Sequence, residues 1–360
     1  MAIPAFDPKE LTVVDEIPVR LGRPPTPIYS YPVTPREAYI AHFNRKPIWH
    51  IMGGESRLFA PKLLPDNVSR AMVMESQPFD GEAEGGGPDM FSIDWEYVPT
   101  ARGSIVRPGK PHLADANDWR EKIQFPDIDK WDWEGTAAAN NDTYFVNDLY
   151  NVLWFQTGWF ERLVSFMDFE GALLALIDED QKDAAKELFN AISELYIRIF
   201  DKFLTYFPRL DGFIIHDDWG AQKEAFFSPS VCEEMVVPAM RKVTDWIHAQ
   251  GKYAELHSCG QILKQVPNMI AAGWDAWSGQ HMNDTHKIYE MHGDKILIGV
   301  VPVIPDSETA SEEELRAAAR EYAEKFCNPD KPSYLNAFGV PVAFREELYI
   351  QSRKNYSGTK

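Results

Sequence analysis

Long hydrophobic runs are missing from this sequence. Nowhere do eighteen apolar residues follow one another, which removes the usual mark of a membrane-crossing helix. Basic charge is scarce. Lys and Arg number 36 against 55 Asp and Glu, a formal net charge of −19, and no basic cluster interrupts it. That balance argues against a nucleic-acid backbone or an anionic membrane as partner. Cysteine is rarer still: Cys232, Cys259 and Cys327 are odd in number and widely spaced, so they read as thiols rather than as a disulfide framework. The first 20 residues, "MAIPAFDPKELTVVDEIPVR", carry proline and charge where a secretory signal needs an apolar stretch, and the expected location is cytoplasmic. No Gly-rich phosphate fingerprint follows any strand-like run, which weighs against a dinucleotide-binding fold. What the chain does have is 44% hydrophobic and 13% aromatic residues over 360 positions, enough to bury the core of one barrel-sized domain or two ordinary ones.

Two styles divide the chain. Up to about residue 140 it is rich in Pro, Gly and Trp, with strand-like pieces at "KPIWHIMG" and "MFSIDWEYVP". The crowded tryptophans there read as core or lid packing. From 181 to 206 apolar residues recur at helical spacing. Strands are then expected at 211–216, 253–257, 276–279, 296–300 and 333–338, with helices at about 230–249, 261–272, 284–292 and 309–327. Ser228 and Pro229 form a helix-start signal. Strands alternating with helices across short loops point to a parallel sheet covered by helices. The number of such units in so short a stretch favours a closed (β/α)8 TIM barrel, an α/β fold, over an open doubly wound sheet. The expected organisation is a single barrel domain, 1–360, whose first 45 residues form an irregular aromatic-rich extension.

In such a barrel, chemistry gathers at the C-terminal ends of the strands. Here those ends read "HDDWGAQ", "ELHSCG", "SGQHMND" and "NAFG". With "PREAYIAHFNRKP", "TGWFERLVSFMDFEGALLAL", "DDWGAQKEAFFSPSVCEEMVVPAMRKV" and "ELHSCGQILKQVPNMIAAGWDAWS", the chain resembles the uroporphyrinogen decarboxylase superfamily, and especially its corrinoid-dependent methyltransferase branch. The resemblance implies a (β/α)8 barrel that takes a methyl group from a methylcobalamin carried by a partner corrinoid protein and hands it to a small-molecule acceptor. Porphyrinogen decarboxylation fits less well, because Arg20, Arg23, Arg36 and Arg45 are scattered and form no carboxylate clamp. A decarboxylase of a small or tetrapyrrole acid stays as an alternative. Asp94, in "FSIDWEYV", falls roughly where the decarboxylase branch has its catalytic Asp.

For relatives that methylate a thiol such as coenzyme M, the resemblance implies a zinc ion that binds the acceptor, at a site resembling His-x-Cys at one strand end with a second Cys near the final strand. His257 and Cys259 match the first part. The second is missing: Cys327 is expected at the end of a helix, on the opposite edge of the barrel. Two ligands are short of a zinc site, so no tightly bound zinc is expected, although the question stays open and zinc-dependent transfer to a thiol is the alternative. Tetrahydrofolate as acceptor needs no metal, only partners for a pterin ring. Asp217, Asp218, Gln222, Glu255, Gln280 and Asn283 are the expected binding residues, with His257, Asp94 and Asn336 as catalytic candidates. His216 and His281 read as packed or solvated. A homodimer is one assembly open to such a chain.

Overall fold

The computed structural model describes residues 4–17, 26–100, 103–306, 309–337 and 339–358. Arg20 and Arg23, named above, and Phe338, the last residue of the strand expected at 333–338, lie outside the described residues. The chain groups into two compact units, residues 57–146 with 151–284 and residues 1–56 with 147–150 and 285–360.

The first of these units contains the strands β1 (Ser56–Phe59), β2 (Tyr150–Phe155), β3 (Gly212–His216), β4 (Tyr253–His257) and β5 (Ala276–Ser278), side by side in that order. From β2 to β5 every pairing is parallel. The intervening helices are α1 (Trp159–Ala175), α2 (Lys182–Tyr206), α3 (Pro229–Met235), α4 (Val237–Ala249) and α5 (Val266–Ala271). In α2, Leu188, Phe189, Ile192, Tyr196, Ile199, Phe200 and Phe203 recur at helical spacing and are buried. Their rings meet the strands, Phe200 against Phe213 at 4.5 Å and Tyr196 against Phe155 at 4.7 Å. Ahead of β2, Asp94–Val98 is the middle strand of a small antiparallel sheet.

Beneath α1 lies a buried charge cluster. Arg162 pairs with Asp66 and, at 2.5 Å, with Asp89, and all three side chains are at most 1% exposed. Asp89 also accepts from the Phe91 and Ile93 N–H groups and from Trp95 Nε1, and Asp66 from the Met90 N–H.

The second unit holds an antiparallel hairpin, Val13–Ile17 with Thr26–Tyr29, and a helix, Pro35–Phe43, opened by a Thr34/Glu37 capping box. It also holds the parallel strands β6 (Leu297–Val300) and β7 (Tyr334–Leu335) and the helices α6 (Thr285–His292), α7 (Glu312–Phe326) and α8 (Val342–Ser357). Glu10 ties the N-terminal segment to α8 through Arg353 at 2.8 Å and Tyr349 at 2.7 Å.

Three expectations on elements change. The helix foreseen at 230–249 is broken at Val236, because Pro238 has no N–H to continue the ladder. The helix foreseen at 261–272 shrinks to a 3-10 turn and α5, with Pro267 at the junction. "KPIWHIMG" forms no strand: Pro47 cannot donate, and Gly53 and Gly54 turn the chain at φ +80° and +100° before β1 begins.

Candidate metal centre

The parallel register sets His216, the last residue of β3, beside His257, the last residue of β4. Each strand then continues with one spacer and a second donor, Asp218 and Cys259. The imidazoles stack with centroids 4.9 Å apart. One ligand atom from each of His216, Asp218, His257 and Cys259 lies within 4.8 Å of the others. Cys259 Sγ is 3.5 Å from His257 Nε2, and His216 Nε2 is 3.6 Å from Asp218 Oδ1. A tetrahedral zinc with ligands at about 2.0–2.3 Å separates its donors by roughly 3.3–3.8 Å; the two within-strand pairs stand at that spacing, and the four donors as a set, within 4.8 Å of one another, would close slightly around a zinc-like ion.

The surroundings orient the donors. Asp217 is wholly buried and accepts from the N–H groups of Phe160 and Glu161 and from Trp219 Nε1, an anion set at the N-terminus of α1. That anchors the first turn of α1, and Glu161 accepts there from His216 Nδ1 at 2.6 Å. With Nδ1 engaged, Nε2 is left for the cluster, the carboxylate–histidine arrangement that supports metal-bound imidazoles. Glu161 also pairs with Arg70 at 2.9 Å. Burial works to raise its carboxyl, but Arg70 and His216 outweigh burial and hold it well below the usual range. His257 is pushed down to about 3 by burial and by His216, so its lone pair is available at neutral pH. Burial and then the neighbouring Glu161 charge push Asp217 up to about 7. The turn after Cys259 is specific to glycine: Gly260 has φ +92°, and a Cβ there would sit 2.2 Å from the Gly220 carbonyl oxygen.

The other sequence candidates disperse. Gln280 accepts from the Gly260 N–H, while Asn283 accepts from the Ile262 N–H and donates to the Gly260 carbonyl. Their amides brace the loop that carries Cys259. Gln222 and His281 are exposed, and Asp94 is exposed on its antiparallel strand; none of the three joins the cluster. Asn336 and Cys327 belong to the second unit, Cys327 as the buried residue closing α7, a helix end as expected. Glu255 is buried on β4, its carboxyl pushed up to about 8 by burial and by Asp275. His216, set aside as packing, is the residue that sequence reasoning missed. The signal was there: two strands end alike, "H-x-D" and "H-x-C".

No family model matches the chain, and no curated protein matches it. Among solved structures it is similar to a methyltransferase from Methanosarcina mazei, at 12% identity and a TM-score of 0.58, over 90% of this chain and 99% of the other. That likeness shows the fold, a TIM-barrel-like α/β architecture. An oxaloacetate acetylhydrolase in complex with oxalate (10% identity, 84% and 80% of the two chains, TM-score 0.31) and a GH10 endoxylanase from a sugarcane soil metagenome (11%, 64% and 82%, 0.29) are too remote to carry an argument. Among the described residues no helix is long and apolar enough to cross a membrane.

Proposed function

We propose that this chain is a methyltransferase that takes a methyl group from the cobalt of a corrinoid, borne by a partner protein, and delivers it to a thiol at a metal centre formed by His216, Asp218, His257 and Cys259. The observation that carries the reading is the convergence of these four donors within 4.8 Å. Methyl transfer is supported by the resemblance of the four quoted stretches to corrinoid-dependent methyltransferases and by the similarly folded methyltransferase.

A bound dication supplies one thing, a lowered pKa for a thiol that ligates it. The chain's own residues do the rest. Glu161 fixes the His216 tautomer, Asp217 fixes Glu161, and Gln280 and Asn283 fix the turn behind Cys259. In the transfer the acceptor sulfur bonds to the methyl carbon, the cobalt–carbon electron pair stays on cobalt as Co(I), and the thiol proton leaves to solvent.

Tetrahydrofolate, the acceptor favoured by ligand counting alone, requires unspent amides and carboxylates for its pterin ring. Asp217, Gln280 and Asn283 turn theirs to backbone groups, Gln222 is exposed, and Glu255 alone keeps a buried oxygen without a partner among the described residues, while His216 and Asp218 stand where two further ligands are needed. The thiol reading is therefore the stronger.

Protein purified without chelator is expected to hold near-stoichiometric zinc and, with a thiol, to convert methylcobalamin to Co(I), followed by absorbance. Cys259→Ala and His257→Ala should each lose the metal. Folded protein that takes up no zinc when it is added overturns the metal centre, and methyl transfer to tetrahydrofolate but to no thiol reinstates the folate acceptor.

A further inference from the structure

Glu161, which orients His216 toward the metal centre, is itself held at both oxygens. Its Oε2 meets His216 Nδ1 at 2.6 Å, and its Oε1 accepts from Arg70 at 2.9 Å. A glutamate side chain is long and rotatable, so a single hydrogen bond leaves it free to swing, whereas a second partner on the other oxygen fixes both the place and the plane of the carboxylate. The side chains of Arg70 and Glu161 are 12% and 15% exposed, which removes the pair from most of the screening that weakens open ion pairs.

Arg70 is fixed in turn by two routes, and both end on the Arg162 cluster. Along the chain it closes the short helix Pro65–Ser69, its N–H donating to the Asp66 carbonyl, and the Asp66 side chain pairs with Arg162. Across space its guanidinium lies 4.8 Å from the centre of the Trp95 ring, whose Nε1 donates to Asp89 at 2.9 Å, and Asp89 pairs with Arg162. Glu161 and Arg162 are consecutive residues in the first turns of α1, so these contacts close into a ring. Glu161 serves the metal donors, Arg162 serves the buried carboxylates, and Arg70 joins the two ends.

We infer that Arg70 is a positioning residue of the metal centre: it holds the Glu161 carboxylate so that His216 keeps Nε2 turned toward Asp218, His257 and Cys259. The inference rests on the metal centre proposed above and deepens it. Arg70 touches none of the four ligands; it acts through Glu161 alone. The Arg162 cluster thereby stiffens the ligand site as well as the fold, because the stacked and backbone-pinned guanidinium has one place to stand.

Zinc affinity, measured by competition with a chromophoric chelator, tests this role. Arg70→Met keeps an aliphatic stem, removes the guanidinium and should weaken zinc binding by about tenfold, the size of effect seen when a partner behind a metal-bound imidazole is lost. Arg70→Gln, a milder change, should show the same direction. Since Arg70 meets Glu161 through one nitrogen, Arg70→Lys should recover most of the loss. The decisive comparison is made in Glu161→Ala protein, itself weakened by about tenfold or more. There Arg70→Met should change affinity by less than about twofold, because its route to His216 is already cut. Equal losses in both backgrounds, or a lower urea midpoint with zinc affinity unchanged, would make Arg70 merely structural and overturn the inference while the metal centre stands. Folded wild-type protein that takes up no zinc removes the metal centre, and this inference with it.

Discussion

Two clusters of polar side chains flank α1, and they are built on opposite plans. Around Arg162, Asp66 and Asp89 accept from two guanidinium nitrogens, three backbone N–H groups and an indole, with every carboxylate at most 1% exposed. Around His216, Asp218, His257 and Cys259 the donor atoms face one another with little between them, and three of the four residues are partly open. Interior charge normally persists only when it is neutralised and hydrogen-bonded. The carboxylates of the first cluster meet that condition from within the chain, with Arg162 Nε alone left without a partner there among the described residues, and they hold the fold. The second is braced from behind by Glu161, Asp217, Gln280 and Asn283 but leaves its front unspent, which is how a ligand site differs from a structural one.

Breaking the satisfied cluster should give the largest effect. Arg162→Met leaves Asp66 and Asp89 buried without their cation, at a cost of about 3–5 kcal/mol, read as a fall in the urea midpoint; Arg162→Lys should lose less. A variant as stable as the wild type would remove the distinction between the clusters.

A smaller effect comes from a buried imidazole that belongs to neither plan and packs against the ring of His50. His42 lies in the second unit with Nε2 2.6 Å from the Ser333 carbonyl oxygen, and burial, aided by Arg45, lowers it from 6.5 to about 4. The folded state thus disfavours the proton that the unfolded chain accepts. Stability contributed by the neutral ring is complete above about pH 6.5 and is lost as pH falls toward about 4, with a slope of at most about 1.4 kcal/mol per pH unit. Urea titrations across that window should show the slope, and His42→Leu should flatten it.

The rhythm of the fold was legible because parallel strands and their helices are local patterns: β3, β4 and β5 fall within a residue or two of where apolar runs place them. Pro238 and Pro267 shorten helices that periodicity alone extends. Half the candidate site was legible too, since His257 and Cys259 sit in one short motif. The other half required pairing. His216 becomes a ligand candidate only because β3 and β4 are parallel and in a register that aligns it with His257, and nothing within either segment states that alignment. Asp217, expected as a substrate-binding residue, is the converse case: its carboxyl accepts from the first turn of α1, which is seen only once that helix is placed beside the strand end.

That neighbouring pair, Asp217 and Asp218, gives the finest test of the comparison. Asp217 accepts from three N–H groups and is wholly buried, whereas Asp218 accepts from the Cys259 N–H at 2.6 Å and otherwise faces the cluster. Asp217→Ala strips the first turn of α1 of its acceptor and strands three donors, so it should lower stability by about 1–3 kcal/mol even in metal-free protein. It should disturb zinc only indirectly, through Glu161 and His216. Asp218→Ala should leave metal-free stability within about 1 kcal/mol yet abolish the rise in melting temperature that zinc produces, a stabilisation of about 2.7 kcal/mol when zinc is at a hundred times its dissociation constant. The two readouts, urea unfolding with chelator and melting with zinc, should rank the adjacent variants in opposite orders. The same order in both would mean that the cluster at the strand ends is as structural as the one around Arg162.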